Sequence, residues 1–312
     1  MQKKPNPPLR HHYVPQFYSR GWVGDDGLLE FYRKPLPSKL DARRISPKSA
    51  GQEAGLYTIN SDSSKDRENL EETFFRVIDN NAASAHQKLL VRDSKISIFE
   101  ANSWTNFILS MLLRTPDALH LAREQSIALL DELENLCKED YNETRTPNLP
   151  LSYEEYIESL TDEVKAADFM RYLPRLIANQ EIGDFIIRGV WRAFELPEGA
   201  HDLLLSDDPM IRSDGNGFGV HLAMPLSPRI FLIMVPDMEI IQKFSRLDDI
   251  PGIARQINIS TVESARRFVI ARDRSQSRFI ENRFGRSPKP PFLPYDRETA
   301  LENARARLHK PD

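Results

Sequence analysis

Apolar and polar positions along the chain fall into three stretches with different periods. Short β-rich runs come first: Leu28-Leu29-Glu30-Phe31-Tyr32 follows the turn signal Asp25-Asp26-Gly27, and Leu56-Tyr57-Thr58-Ile59 follows Gly55. A helical period then holds from about residue 66 to about 180. Asn60 to Ser64 offers N-cap side chains for a helix over about 66–91, with Leu70, Phe74, Val77 and Ile78 on one face. A second helix over about 98–114 sets Trp104, Phe107, Ile108, Met111 and Leu112 at core spacing and stops before Thr115-Pro116. A third starts at Asp117 and carries Leu119, Ala122, Leu129, Leu133 and Leu136 on one stripe. Further helices are expected near 152–160 and 162–179.

After Gly183 the pattern changes again. Phe185 to Phe194 mixes alternation with β-rich composition. Leu203 to Leu205, Val220 to Met224 and Ile230 to Val235 are short apolar runs bounded by Gly, Pro and Asp, the pattern of buried strands. Helices return at about 237–246 and 258–284, and a polar amphipathic segment follows at about 296–308. The order β-α-α-α-β-β-β-α predicts an α+β fold, because a doubly wound sheet needs strict alternation. The expected architecture is a mostly antiparallel central sheet with a large helical lobe at about 66–180, in one compact domain over residues 1–312.

Composition narrows the class without naming a function. Apolar residues make up 40% of the chain and charged residues 28%, and the 16 Phe, 9 Tyr and 3 Trp need a core, which excludes disorder as the main state. The single cysteine, Cys137, has no internal partner and fits a reducing compartment, so a cytoplasmic location is expected. Met1 to Pro8 lacks the apolar stretch of a signal peptide, and Ile230 to Val235, the longest apolar run, is too short to span a bilayer. No membrane association is expected.

Charge is informative only when split along the chain. Net charge is −4, yet residues 1–50 carry ten Lys/Arg against four acids, and 131–163 carry eleven acids against two bases. Residues 254–286 hold eight Arg, no Lys and three acids. Guanidinium groups bind phosphate bidentately, which ammonium cannot do, so this block fits a local anion site. The acidic overall balance disfavours broad coating of DNA.

Four groupings can carry chemistry. Adjacent His11 and His12 offer an imidazole base or ligand near neutral pH, although an extended backbone would turn them to opposite faces. Asp207 and Asp208 follow the run Leu203-Leu204-Leu205, where paired carboxylates can hold a cation; an Asx-Pro turn is the simpler account of either alone. Arg114 ends an apolar helix, where it can bond the last carbonyls, clamp an anion or anchor Asp207. Glu71, Glu72, Asp79 and His86 lie along the first long helix; Glu72 and Asp79 matter only if that face turns toward His11 or Asp207. No phosphate loop, nucleophile elbow, Cys-x-x-Cys pair or His-Glu-x-x-His helix is present.

The string His11-His12-Tyr13-Val14-Pro15-Gln16-Phe17-Tyr18-Ser19-Arg20-Gly21-Trp22 resembles the opening signature HHYVPxFYLRGF of a largely bacterial domain-of-unknown-function family, number 4238. The likeness continues at Gly55-Leu56-Tyr57-Thr58, Leu112 to Pro116, Leu205 to Pro209, Pro225 to Pro228, and Asn258 with Ala265 to Val269. One departure stands out: Asp208 occupies a position where that family usually has Asn. The resemblance carries no activity with it.

Two function classes remain. The enzymatic expectation is a metal-assisted hydrolase acting on a phosphate-bearing substrate such as nucleic acid. Its parts are His11 or His12 as base or ligand, Asp207 and Asp208 as ligands of a divalent cation such as Mg²⁺ or Mn²⁺, and Arg114 as an anion clamp. Arg266 and Asn258 complete it as substrate-binding residues, with Arg266 turned inward toward Asp207 and Arg274 left on the surface. The alternative is a non-enzymatic binding or sensor module in which the same His, Arg and Asp residues form a structural network.

Overall fold

The computed structural model describes residues 10–36, 39–57, 70–92, 95–122, 124, 138, 141–142, 145–159, 177–178, 180–215, 219–245 and 250–291. Within them the chain is α+β, and its strands divide among three antiparallel sheets rather than one. Most of the helix expected at 162–179, the segment expected at 296–308, and Cys137 lie outside the described residues.

The first sheet is a two-stranded ribbon in which β1 (Arg10–His12) pairs with β4 (Gln52–Ala54), setting His11 opposite Glu53. The second has the order β3-β2-β10-β6, from β2 (Leu29–Leu36), β3 (Lys39–Ile45), β6 (Leu205–Ser206) and β10 (Val269–Ala271). The third has the order β5-β9-β8-β7, from β5 (Val190–Glu195), β7 (Ile211–Gly215), β8 (Gly219–Ser227) and β9 (Ile230–Val235). Phe194 and Phe231 face each other across β5 and β9 and stack at 5.3 Å.

Two long helices pack on this frame. A π-helical turn at Leu70–Phe75 runs into α2 (Arg76–Leu90), which packs against α3 (Ile98–Leu113). Ser97-Ile98-Phe99-Glu100 starts α3 with a reciprocal capping box: the Ser97 hydroxyl accepts from the Glu100 N–H, and the Glu100 carboxylate accepts from the Ser97 N–H at 2.8 Å. Shorter helices follow: α4 (Tyr153–Ser159), α5 (Gln180–Arg188), α6 (Met238–Ser245), α7 (Ile250–Ser264) and α8 (Ser277–Arg283).

Three local expectations are corrected. The run Phe185 to Phe194 is helix α5 followed by strand β5, broken at Gly189, where an added Cβ would sit 2.8 Å from the Val235 carbonyl oxygen. Leu56-Tyr57 is a turn after β4 rather than a strand, and Thr58-Ile59 lie outside the described residues. The helix expected over 258–284 is three elements: α7 starts earlier and ends at Ser264, β10 follows, and α8 closes the segment. Val269 and Ile270 lie on a strand between β2 and β6, buried on both sides, so their apolar run carries no period that separates strand from helix.

The signature segment at 11–22 is tied into the main core, which draws on residues from Tyr13 to Ile270. Tyr18 donates its hydroxyl to the Pro225 carbonyl, and Trp22 donates its indole N–H to the Leu203 carbonyl at 2.7 Å. Gly51, at φ +59°, accepts the Tyr13 and Val14 N–H groups in a conformation that disfavours side chains.

Candidate functional site

Arg114 is the centre of a buried polar cluster under the π-helical turn. It is 0% exposed and donates to Asp79 Oδ1 at 3.0 Å and to Met111 Sδ at 3.1 Å. Its guanidinium carbon lies 5.5 Å from the Phe75 ring centroid and 5.7 Å from that of Phe107. The end of an apolar helix thus hands its cation to a carboxylate on α2.

Tyr57 joins Arg114 to the histidines. Its hydroxyl lies 3.3 Å from the carbonyl oxygens of both His12 and Arg114, and its ring stacks on His11 at 5.1 Å and meets the Phe75 ring at a tilt at 4.6 Å. The Tyr57 N–H donates to His11 Nδ1 at 2.9 Å, so the proton of neutral His11 belongs on Nε2. His12 turns the other way, with Nε2 3.0 Å from the Lys48 carbonyl oxygen. Among the described residues, neither His11 Nε2 nor Arg114 Nε has a hydrogen-bond partner.

Burial sets the protonation tendencies here. It lowers the pKa of His11, helped by His12, and lowers that of His12 against the Lys48 carbonyl and Asp79, which favour the cation. It raises the pKa of Asp79, against the opposing pull of Arg114.

Asp207 belongs to a different assembly. Its carboxylate accepts the backbone N–H groups of Arg266, Arg267 and Phe268 at 3.2–3.3 Å, a nest that ends α7 and turns the chain into β10. Burial pushes its pKa up to about 6 even so. None of His11, His12 and Arg114 is among the hydrogen-bond partners of Asp207 in the described residues.

Several expected roles change accordingly. Asp208 lies 3.8 Å from Arg212, with Lys289 and Arg266 also lowering its burial-raised pKa, so cations rather than a second ligand surround it. Among the described residues no three His, Cys, Asp or Glu side chains gather as a metal ligand set, so the metal-binding pair of Asp207 and Asp208 has no third ligand. Arg266 gives Asp207 its backbone, while its exposed guanidinium donates to the Lys289 carbonyl at 2.6 Å. Asn258, expected to touch substrate, is buried: Oδ1 accepts from the Leu204 N–H at 2.9 Å, and Nδ2 donates to the Asp202 carbonyl at 2.9 Å and Gln276 Oε1 at 3.3 Å. Arg274, expected to be an idle surface charge, donates at 2.8 Å to Glu30, whose side chain is 2% exposed.

Residues 10–275 match the family model described as Protein of unknown function (DUF4238). The chain belongs to this family. In this DUF4238 protein the signature His11 to Trp22 therefore falls on a segment bonded to β8, to the 203–206 strand region and to Tyr57. No curated protein and no solved structure matches the chain. Among the described residues no helix is long and apolar enough to cross a membrane.

Sequence reasoning left four participants out. Tyr57 looked like a strand residue, although its Gly-Leu-Tyr-Thr context was already marked. Arg267 bridges Glu53 at 3.1 Å and Asp117 at 3.3 Å, tying the ribbon to the chain after Arg114. Arg212, four residues after Asp208, and Lys289, far from it in sequence, were not read as its partners.

Proposed function

We propose that this protein is a non-enzymatic binding module that takes an anionic, phosphate-bearing ligand on its arginine-rich face, with the His, Arg and Asp cluster as its internal scaffold. The described residues act as one unit in this reading, supported by a main core cluster that runs from Tyr13 to Ile270. The observation that carries this reading is the state of Arg114: it is fully buried, held by Asp79, and covered by Phe75 and Phe107. A cation in that position steadies the fold. Exposed Arg266, by contrast, keeps its charge at the surface while a backbone carbonyl fixes its position.

A second reading, acid–base chemistry at His12 and Asp79, is favoured by two buried N–H groups beside them, on His11 and Arg114, that have no partner among the described residues. Such groups cost about 1–3 kcal/mol each and are often retained for function. The two readings separate in calorimetric titration of the full chain with phosphate, citrate and a short single-stranded oligonucleotide. The binding reading predicts that at least one anion binds and that Arg266→Ala weakens it. Binding indifferent to Arg266→Ala but abolished by His12→Gln would reverse the choice.

A further inference from the structure

The basic block over residues 1–50 comes to the surface on a hairpin that the Arg266 reading does not use. β2 and β3 are longer than the sheet they belong to. β10 pairs with β2 at Glu30, Phe31 and Tyr32, while the β2–β3 pairing continues through Arg33 and Asp41 to Leu36 and Lys39. β3 is the edge strand of this sheet. The outer part of the hairpin therefore runs past β10 as a two-stranded ribbon, reaching about 13 Å beyond Tyr32 at about 3.4 Å per residue.

Alternation along the strands gives this ribbon one packed face and one open face. Leu40 and Ala42 pack with Tyr32 in a smaller apolar cluster. On the other face Leu29, Phe31 and Ile45 lie against the main core, and the same face continues outward as Arg33, Asp41 and Arg43. A row that starts apolar thus ends in charge, with both arginines exposed.

One carboxylate orders two guanidinium groups there. Asp41 accepts from Arg33 Nε at 2.9 Å and from Arg43 Nε at 3.2 Å. Both bonds use Nε, and the terminal guanidinium nitrogens make no hydrogen bond among the described residues. Lys34 and Lys39 add two cations that form no ion pair among the described residues. From Arg33 to Arg43 the hairpin holds four cations and one carboxylate. Its base is electrically closed: Arg44 pairs with Asp26 and lies 3.6 Å from Glu30, which also accepts from Arg274. The excess positive charge belongs to the outer part, and ordering by Asp41 lowers the cost of fixing its arginines on a ligand.

We propose that this outer hairpin, through Arg33, Lys34, Lys39 and Arg43, is a docking surface for duplex DNA. The surface is independent of the Arg266 reading. Three features choose the partner. A two-stranded ribbon, its strands about 4.8 Å apart, is admitted by a B-DNA major groove about 12 Å wide, so the tip can enter while the arginines meet phosphates. The deep, narrow major groove of duplex RNA does not admit it. Single strands are gripped by exposed aromatic rings, whereas the rings of this hairpin, Phe31 and Tyr32, turn into the two apolar clusters. A lipid surface takes up several apolar side chains, and Leu36 is the one exposed large apolar residue among the described residues of the hairpin. The net charge of −4 confines the contact to this ribbon and makes it sensitive to salt.

The test is binding of the full chain, over a range of low salt concentrations, to a labelled DNA duplex of mixed sequence, to one of its single strands, and to vesicles of phosphatidylserine and phosphatidylcholine. The duplex should bind most tightly. The double variants Arg33→Ala with Arg43→Ala, and Lys34→Gln with Lys39→Gln, should each lose about tenfold in duplex affinity and lower the slope of log affinity against log salt by about 2. Both pairs lie on the outer hairpin, so both variants should melt as the parent does, and each guards against misfolding in the other. Absence of duplex binding at low salt, or the parent's affinity and salt slope in either folded double variant, would overturn the site. Duplex binding that depends on Arg266 and on neither pair would overturn it in favour of the Arg266 surface. Tighter binding of the single strand, or vesicle binding lost in the double variants with no duplex bound, would overturn the assignment to duplex DNA.

Discussion

Asp207 holds Arg266 by its backbone N–H and leaves the guanidinium outside. The two residues are neighbours, as the arginine-rich helix expected at 258–284 implied, but the carboxylate faces a turn at 266–268 instead of a side chain. Everything that separates the structural acids of this protein from its candidate ligand-facing arginines starts from that arrangement.

Arg274 and Arg266 should therefore behave in the reverse of the sequence-based order. Arg274→Ala leaves buried Glu30 with Arg44, 3.6 Å away, as its one cation among the described residues, and should cost about 1–2 kcal/mol, a figure reduced by the 66% exposure of the Arg274 side chain. Arg266→Ala should change stability by less than about 0.5 kcal/mol. Urea midpoints of the two variants decide the order. A larger loss in Arg266→Ala would mean that its guanidinium supports the fold.

Asp207 should make the protein less stable as pH rises. Its folded pKa, about 6, lies above the ordinary 3.8, so its contribution is full below about pH 4 and is lost as pH rises through 6. At about 1.4 kcal/mol per pKa unit the change is about 3 kcal/mol. Asp207→Asn, which keeps an acceptor for the nest, should flatten this window in denaturation curves taken from pH 4 to 7. An unaltered pH profile would show that the three N–H groups keep the carboxylate ionised throughout.

His86 gives the opposite slope. It stacks on Trp104 at 5.4 Å, lies 2.8 Å through Nε2 from the Leu226 carbonyl oxygen, and is pushed down to about 4 by burial. Its contribution is full above the ordinary 6.5 and is lost as pH falls through 4, again by about 3 kcal/mol. Replacing it by Gln should lower stability at pH 7 yet reduce the further loss between pH 6.5 and 4. Equal acid sensitivity in the variant and the parent would remove His86 from the account.

Asn258 should matter to folding alone. Asn258→Ala removes three hydrogen bonds that tie α7 to the 202–204 segment and to Gln276, at about 2–4 kcal/mol. Phosphate affinity, measured where the variant is folded, should stay within about twofold. A selective loss of affinity at unchanged melting temperature would return Asn258 to a ligand-binding role.

What sequence could and could not reveal follows from the range of the interactions. α3 was legible because its apolar face and its stop before Thr115-Pro116 lie within the helix and its end, whereas its capping box went unread. The antiparallel strand β9 was legible because six apolar residues end at Pro236. β10 was hidden, since its strand identity comes from neighbours at 29–36 and 205–206 that no local pattern announces. Asp79 could be marked from helical spacing as a residue facing His11 or Asp207, yet only the packing of α2 on α3 brings it to Arg114. Arg266 was marked by the arginine-rich block, but its bond to the Lys289 carbonyl joins segments that no local pattern connects.

The pair at the centre of the cluster gives the most direct test of the scaffold account. Breaking it singly, with Arg114→Ala, should cost about 3–5 kcal/mol, because Asp79 is left without its cation. The double variant Arg114→Met with Asp79→Leu replaces the ion pair by apolar side chains and should recover most of that loss. The decisive measurement is phosphate titration of this double variant after its cooperative unfolding has been verified. The scaffold account predicts affinity within about twofold of the parent. A folded double variant that no longer binds phosphate would contradict it and make Arg114 and Asp79 part of the working site.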